Sequence, residues 1–249
     1  MSPLHEERTP ISVRLRRGFT RGLRDRAPVE AQEVWGRDAL SRIARALPPF
    51  ERAYATVRFS IMRPKLLSVL DLLLPEEGRI LDIGCGFGLF AAYFAQTQRA
   101  RQIVGVDPDA RRTSMATQTF ARLGLDGHEF IAGDARDAKV EGPFDAVYVL
   151  DVMHHIPKED QLPLLRRLHE ILAPRGVLVI KDITTEPWLG LKFTELLDRA
   201  MVGWNEPLCY RHHREWGELL RELGFKVRVV RVPDVLPYPH VVIAATKDA

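Results

Sequence analysis

The period of the apolar positions changes near residue 79, and that change divides the chain. Upstream, Val34, Leu40, Ile43 and Leu47, then Ile61, Leu66, Val69, Leu70 and Leu73, recur at intervals close to three and four, the spacing of amphipathic helices. Pro48-Pro49 interrupts the run, since proline lacks the N–H that a helix interior requires. Two helices are therefore predicted before Pro75. Downstream, short β-branched runs predict strands at 79–84 (RILDIG), 102–107, 128–134, 144–151 and 176–184, and later at FKVRVVRV and HVVIAATK. Helical patterns fall between them, near 89–98, 109–123, 158–172 and 213–223. This alternation predicts an α/β fold with a largely parallel sheet and helices on both faces. It is broken at about 186–210 by EPWLGLKFTELLDRAMVGWNEPLCY, an insertion at the carboxyl edge of the sheet, where open α/β sheets bind ligands. The expected organisation is a leader (1–27), a helical segment (28–75) and one α/β domain (76–249) carrying that insertion as a lid.

Charge sharpens the division. Residues 1–26 hold seven arginines against three acids, a net of +4, so the chain's +3 leaves −1 for everything after them. In this leader Ile11, Leu15, Phe19 and Leu23 fall at every fourth position among the arginines. As a helix it would be a basic amphipathic strip suited to an anionic membrane surface. Gly18 and Gly22 oppose helix formation by up to about 1 kcal/mol each, which leaves a disordered or docked tail as the competing reading. The near-neutral remainder argues against a nucleic-acid partner. The apolar stretch LLSVLDLLLP is interrupted by Asp71 and is far shorter than the roughly 20 residues of a membrane span. With no secretory-type apolar core at the N-terminus, the expectation is a cytoplasmic protein, with peripheral contact at the inner membrane face through residues 1–26. Cys85 and Cys209 lie far apart without metal-ligand spacing, so reduced thiols and no metal site are expected.

The candidate chemistry begins at ILDIGCGFGLFA, where an apolar run meets Gly84, Gly86 and Gly88 between a predicted strand and a helix. Glycines let a backbone approach a ligand closely, and the N–H groups of a helix start attract polar or negative groups. The spacing fails the dinucleotide fingerprint, whose third glycine would fall at Leu89, and the Gly-Lys-Ser/Thr of a P-loop is absent. Asp107, nineteen residues beyond Gly88 at the end of the second strand, can accept two hydrogen bonds from a ribose diol. Asp134, in AGDARD at the end of the third, can meet an adenine edge through its carboxylate or through the Ala135 N–H.

LDIGCGFG, VGVDPD, AGDARD, FDAVYVLDVMHHI and LAPRGVLVIKD, in this order, resemble the motifs of class I S-adenosylmethionine-dependent methyltransferases over roughly residues 60–249. The likeness is nearest to UbiE-like small-molecule methyltransferases, and HHREWGELLRELGF resembles that group's penultimate helix and its Gly-Phe turn. The resemblance implies a Rossmann-like fold with a seven-stranded sheet whose last strand, HVVIAATK, runs antiparallel. It implies S-adenosyl-L-methionine as cofactor. Asp82 and the backbone of Gly84, Gly86 and Gly88 would hold the methionine part, and Asp107 the ribose. Pro108 would flank the adenine, Asp134 with Ala135 would read its amino edge, and Leu150 would border the sulfonium.

Methyl transfer from a sulfonium needs alignment above all, and a base only where the acceptor carries a proton. The candidates for that base are His154 and His155, with Asp151 at the end of the same strand. Each has a competing role in capping and packing. His212-His213 precede a helix, where a cap is the simpler reading, and Tyr210 is a weaker candidate. No i, i+4 or H-x-x-H pairing joins the histidines into a metal site. Trp188, Phe193, Trp204 and Trp216 read as core or lid packing, whereas Leu189, Leu191, Leu196, Leu197, Ala200 and Met201 could roof an apolar acceptor pocket. The expected activity is methyl transfer to a small-molecule or lipid-like acceptor. A non-catalytic cofactor-binding or membrane-associated scaffold and a nicotinamide-dependent redox enzyme are the alternatives.

Overall fold

The computed structural model describes residues 29–202, 208–230 and 239–249. The leader with its apolar strip and Trp204 lie outside the described residues, and only the backbone of Leu197, Ala200 and Met201 is described. Three helices, not two, precede the sheet: α1 (Val29–Ala46), α2 (Pro49–Ile61) and α3 (Pro64–Leu73). Pro64 makes the difference. The ring of a proline disfavours helical geometry in the residue before it, and Arg63 is accordingly extended (φ −62°, ψ 159°) while Pro64 opens a new helix.

Thereafter strands and helices alternate as β1 (Gly78–Ile83), α4 (Leu89–Thr97), β2 (Arg101–Asp107), α5 (Ala110–Arg122), β3 (Glu129–Ala132) and β4 (Phe144–Leu150). A 3₁₀ turn (Met153–His155) leads to α6 (Lys158–Ile171) and β5 (Leu172–Ile183). These are followed by α7 (Trp188–Val202), α8 (His213–Glu222), β6 (Phe225–Val230) and β7 (His240–Lys247). The sheet order is β3-β2-β1-β4-β5-β7-β6. Strands β1 to β5 are mutually parallel, and β7 runs antiparallel to both β5 and β6. The seven-stranded sheet with one reversed strand is the fold expected from the sequence. The α6 pattern ends at Ile171 and β5 begins at once, four residues before the predicted Gly176, while the insertion contributes α7.

Alternation along the strands separates two cores. Ile80, Ile103, Ala146, Tyr148 and Val179 face α1 to α5, packing with Leu40, Ile43, Leu67 and Phe94. Leu81, Ile83, Val147, Val149 and Ile180 face α6 and α8, packing with Leu164, Leu168, Trp216 and Leu220. This period of two settles where the polar strand-end residues point. Arg101 joins the N-terminal helices to the first core. Its side chain is fully buried, pairs with Asp71 on α3, and donates to the carbonyls of Pro75 and Phe94 at 2.6 and 3.1 Å. A buried guanidinium needs such a full set of acceptors. Strand order reverses between β1 and β4, so the carboxyl ends there open a crevice, the usual ligand position in such sheets. No helix among the described residues is long and apolar enough to cross a membrane.

Candidate active site

The glycine turn follows β1 directly. Gly84, Gly86 and Gly88 all have positive φ (75°, 52° and 72°), but they serve two purposes. A Cβ on Gly84 would stand 2.3 Å from Val152, and one on Gly88 2.9 Å from Ala116, so these two are glycines for packing. A Cβ on Gly86 would meet nothing within 4 Å. Gly86 alone of the three therefore faces open space. Its N–H donates to Asp107 Oδ2 at 2.9 Å, and Asp109 N–H donates to the other oxygen at 3.0 Å. Asp107 is thereby fixed at the end of β2 beside the turn, with Pro108 exposed next to it. Asp109 in turn caps α5, accepting from the N–H groups of Arg111 and Arg112.

Asp82 lies on the first-core face and is in register with Tyr148 on β4, whose hydroxyl donates to it at 2.8 Å. Burial pushes its carboxyl up to about 8; the Tyr148 hydrogen bond opposes the rise and the Asp107 charge adds to it. The neutral form is thus favoured by folding. Its contribution to stability is complete below the unfolded value near 3.8 and is lost as pH rises through about 8. Urea midpoints measured from pH 5 to 8.5 should fall more steeply in the wild type than in Asp82→Asn, which has nothing to titrate there. His155 is held down at about 4 by burial, so its own contribution rises between about pH 4 and the unfolded value near 6.5, in both proteins alike, and is level above that. Equal slopes in the two proteins would remove Asp82 as their cause. Cys85, in the same turn, is buried and its thiol is pushed up by that burial, which makes it an inert filler.

Asp134 sits just beyond β3, partly exposed and clasped by Arg136, which donates from Nε and Nη2 at 2.9 and 2.7 Å. That clasp holds its carboxyl below the usual range. Arg136 also reaches Asp160 on α6, while Arg167 donates to the carbonyls of Ala135 and Arg136 at 3.0 and 2.7 Å. The loop bearing Asp134 and Ala135 is consequently braced against α6.

At the ends of β4 and β5 the side chains sort by face. Leu150 is buried, and Asp151 after it adopts φ 56°. Asp151 pairs with Lys181 of β5 and with Arg58 of α2, the latter at 3.0 Å, and these cations hold its carboxyl far below the usual range despite burial. On the opposite face His154 Nδ1 meets Asp182 Oδ1, which also accepts from Ile183 N–H at 2.8 Å. Since an ionised carboxylate can only accept, Nδ1 carries a proton; the neutral tautomer would leave Nε2 as the acceptor. Both residues are buried. Tyr210 stacks on His154 with ring centroids 5.2 Å apart, and His155 packs beside it at 4.2 Å. Gln161, wholly buried on α6, fixes this arrangement by donating to the carbonyls of Met153, Ile156 and Cys209. His212 caps α8, as its position before that helix suggested, and His213 contacts Thr184 Oγ1 at 3.0 Å. Among the described residues no group of three or more His, Cys, Asp and Glu is placed to hold a metal ion.

The sequence reading missed Tyr148, Lys181, Asp182, Arg58 and Gln161. Tyr148 and Lys181 were legible in principle, since they fall in strand register with Asp82 and Leu150. Arg58 was not, because it is 93 residues from its partner.

A family model described as a methyltransferase domain matches residues 54–230, and the chain belongs to that family. It is similar to a ubiquinone biosynthesis O-methyltransferase of Caulobacter, at 32% identity over 111 residues covering 44% of this chain and 42% of that protein. It is also similar to phosphoethanolamine N-methyltransferase 3 of Arabidopsis thaliana, at 27% identity over 63% of this chain and 31% of that one. The chain thus spans less than half the length of these two relatives. Among solved structures, an O-methyltransferase family protein from Burkholderia thailandensis shares the fold with a TM-score of 0.65 at 16% identity, covering 88% of this chain and 70% of that one. S-adenosylmethionine is the cofactor this family implies, and the crevice fits it. Gly86 leaves room beside an anchored carboxylate, and three acids stand at successive strand ends.

Proposed function

We propose that this protein transfers a methyl group from S-adenosylmethionine to a small-molecule or lipid-like acceptor. The observation that carries the reading is the division of one sheet edge into two parts. The ends of β1, β2 and β3 offer Asp82, Asp107 and Asp134 around an open glycine, and the ends of β4 and β5 offer a buried histidine with its acid partner. When bound, the cofactor supplies a methyl group on a sulfonium. Asp107 would hold the ribose hydroxyls, Asp82 and the Gly84–Gly88 backbone the methionine end, and Asp134 with Ala135 the adenine edge beside Pro108. Leu150 would exclude water near the sulfonium. His154 would take the acceptor's proton at Nε2, with Asp182 as the positioning residue at Nδ1. Asp151 holds Lys181 and Arg58 in place, and its pairing suits it to orient groups more than to accept a proton. His155, neutral over the working pH range, would pack against His154 as a second imidazole at the acceptor side.

The lipid-like side of this reading is supported by α7, which follows β5 at the same edge and leaves Trp188, Leu189, Phe193 and Leu196 exposed. The basic leader, as a further contact for an anionic membrane, belongs to the same reading. Incubation with isotopically labelled cofactor and metabolite or lipid extracts, read by mass spectrometry, should give one labelled methyl on an extract component. Folded protein that shows no calorimetric binding of S-adenosylhomocysteine would sink the proposal.

A further inference from the structure

We infer that Asp82 gives up a proton to solvent as the α-ammonium of the cofactor's methionine end binds beside it, and that Tyr148 is the positioning residue for that exchange. The inference rests on the methyltransferase reading of the crevice. Asp82 is only 4% exposed, near the end of β1 and two residues before the turn whose Gly86 faces open space. Its Oδ2 accepts from the Tyr148 hydroxyl at 2.8 Å, and its Oδ1 has no hydrogen-bond partner among the described residues. A buried carboxylate ordinarily meets a cation, as Asp151 meets Lys181 and Arg58. Among the described residues Asp82 has no such partner.

The groups that face it sharpen the contrast. Asp107 on β2 is a second acid, the turn supplies the Cys85 thiol, and β4 supplies the Tyr148 hydroxyl. Arg101 lies across Tyr148 but is engaged by Asp71 and by the carbonyls of Pro75 and Phe94. At the end of β4 Asp151, Arg58 and Lys181 pair with one another. Burial beside a second acid favours the neutral form of Asp82, whose carboxyl is accordingly pushed up to about 8. Burial pushes the Cys85 thiol and the Tyr148 phenol higher still, so neither gives up a proton where Asp82 does. A cation in the crevice reverses the balance for Asp82, because opposite charges attract strongly where water is excluded. The carboxyl O–H bond then breaks, the proton passes to buffer, and the bonding pair stays on oxygen to accept an ammonium N–H. Tyr148 stands in register with Asp82, its ring packed on Phe94 at 5.2 Å. Its hydroxyl holds Oδ2 and leaves Oδ1 to the ligand.

The test is calorimetry of S-adenosylhomocysteine in paired buffers of different ionisation enthalpy, phosphate and imidazole near neutrality and HEPES and Tris above it, so that the difference in heat counts protons. Wild type should release about one proton per ligand at about pH 6.5 and about half as many at about pH 8. Its affinity should rise about 10-fold per pH unit between about pH 6 and 7.5. Asp82→Asn should bind more weakly, with that release and that slope gone, which separates this carboxyl from the histidines of the site. For 5′-methylthioadenosine, which has the adenosine part without the amino-acid end, wild type should show neither. Tyr148→Phe keeps the ring and loses the donor that opposes the rise, so its affinity at about pH 7 should fall about 10-fold and its release at about pH 8 should exceed that of the wild type. The inference is overturned if wild type and Asp82→Asn release alike, if 5′-methylthioadenosine releases the same proton, if wild-type affinity is flat between about pH 6 and 7.5, or if Tyr148→Phe titrates as the wild type does. Should Asp82→Asn fail to bind, the wild-type slope and the comparison with 5′-methylthioadenosine decide alone. In each overturning case S-adenosylhomocysteine binding by the wild type keeps the methyltransferase reading standing, and absence of that binding at every pH removes that reading instead.

Discussion

Asp107→Ala is expected to weaken S-adenosylhomocysteine binding about 100-fold, the equivalent of roughly 3 kcal/mol, while the protein remains folded. Two effects combine. The carboxylate that would accept both ribose hydroxyls is gone, and hydrogen bonds to a charged acceptor contribute about 1.5–3 kcal/mol each. The N–H groups of Gly86 and Asp109 also lose their acceptor, so the one glycine of the turn that faces open space is no longer held in position. The sheet itself does not depend on this side chain, because β2 stays paired to β1 and β3 through its backbone. Calorimetry gives the affinity and circular dichroism the fold. Affinity equal to that of the wild type would mean that the ribose lies elsewhere.

His154→Ala is expected to lower turnover about 10²–10⁴-fold, the span of general-base catalysis, with cofactor affinity unchanged. Its imidazole is held by Asp182 on one edge, by Tyr210 on one face, and by the Gln161 network beneath its turn. Such fixation matters because a base acts only when its acceptor nitrogen meets the departing proton. Asp182→Asn separates positioning from bulk packing. An amide in that place can donate as well as accept, so it no longer selects the tautomer with the proton on Nδ1. Its turnover should fall, and the pH profile for methyl incorporation should change shape as well as height. A uniform reduction at every pH, with the profile retained, would assign Asp182 to stability alone.

Several residues of the site had a local signal, and others had none. The glycine turn, Asp82, Asp107 and Asp134 each end a strand that its own β-branched run announces, so position in the sheet followed from position in the sequence. Their separate functions did not. That Gly84 and Gly88 are packing glycines depends on Val152 and Ala116, which are distant in the chain. Similarly, His154 was visible as part of a histidine pair, but its distinction from His155 comes from Asp182, an acid at the end of a different strand.

The reversed last strand was implied by family resemblance; by itself the sequence determined the alternation of strands and helices, the largely parallel sheet and the strand ends that carry acids. These depend on periodicity, glycine and proline, whose preferences act over a few residues. Only the tertiary structure decided which charges meet. It brought Arg58 from α2 and Lys181 from β5 onto Asp151, set Tyr148 against Asp82, and joined Asp182 to His154. Those partnerships arise where separately formed elements converge on one sheet edge, and electrostatic interaction depends on distance in space, for which sequence separation is no guide.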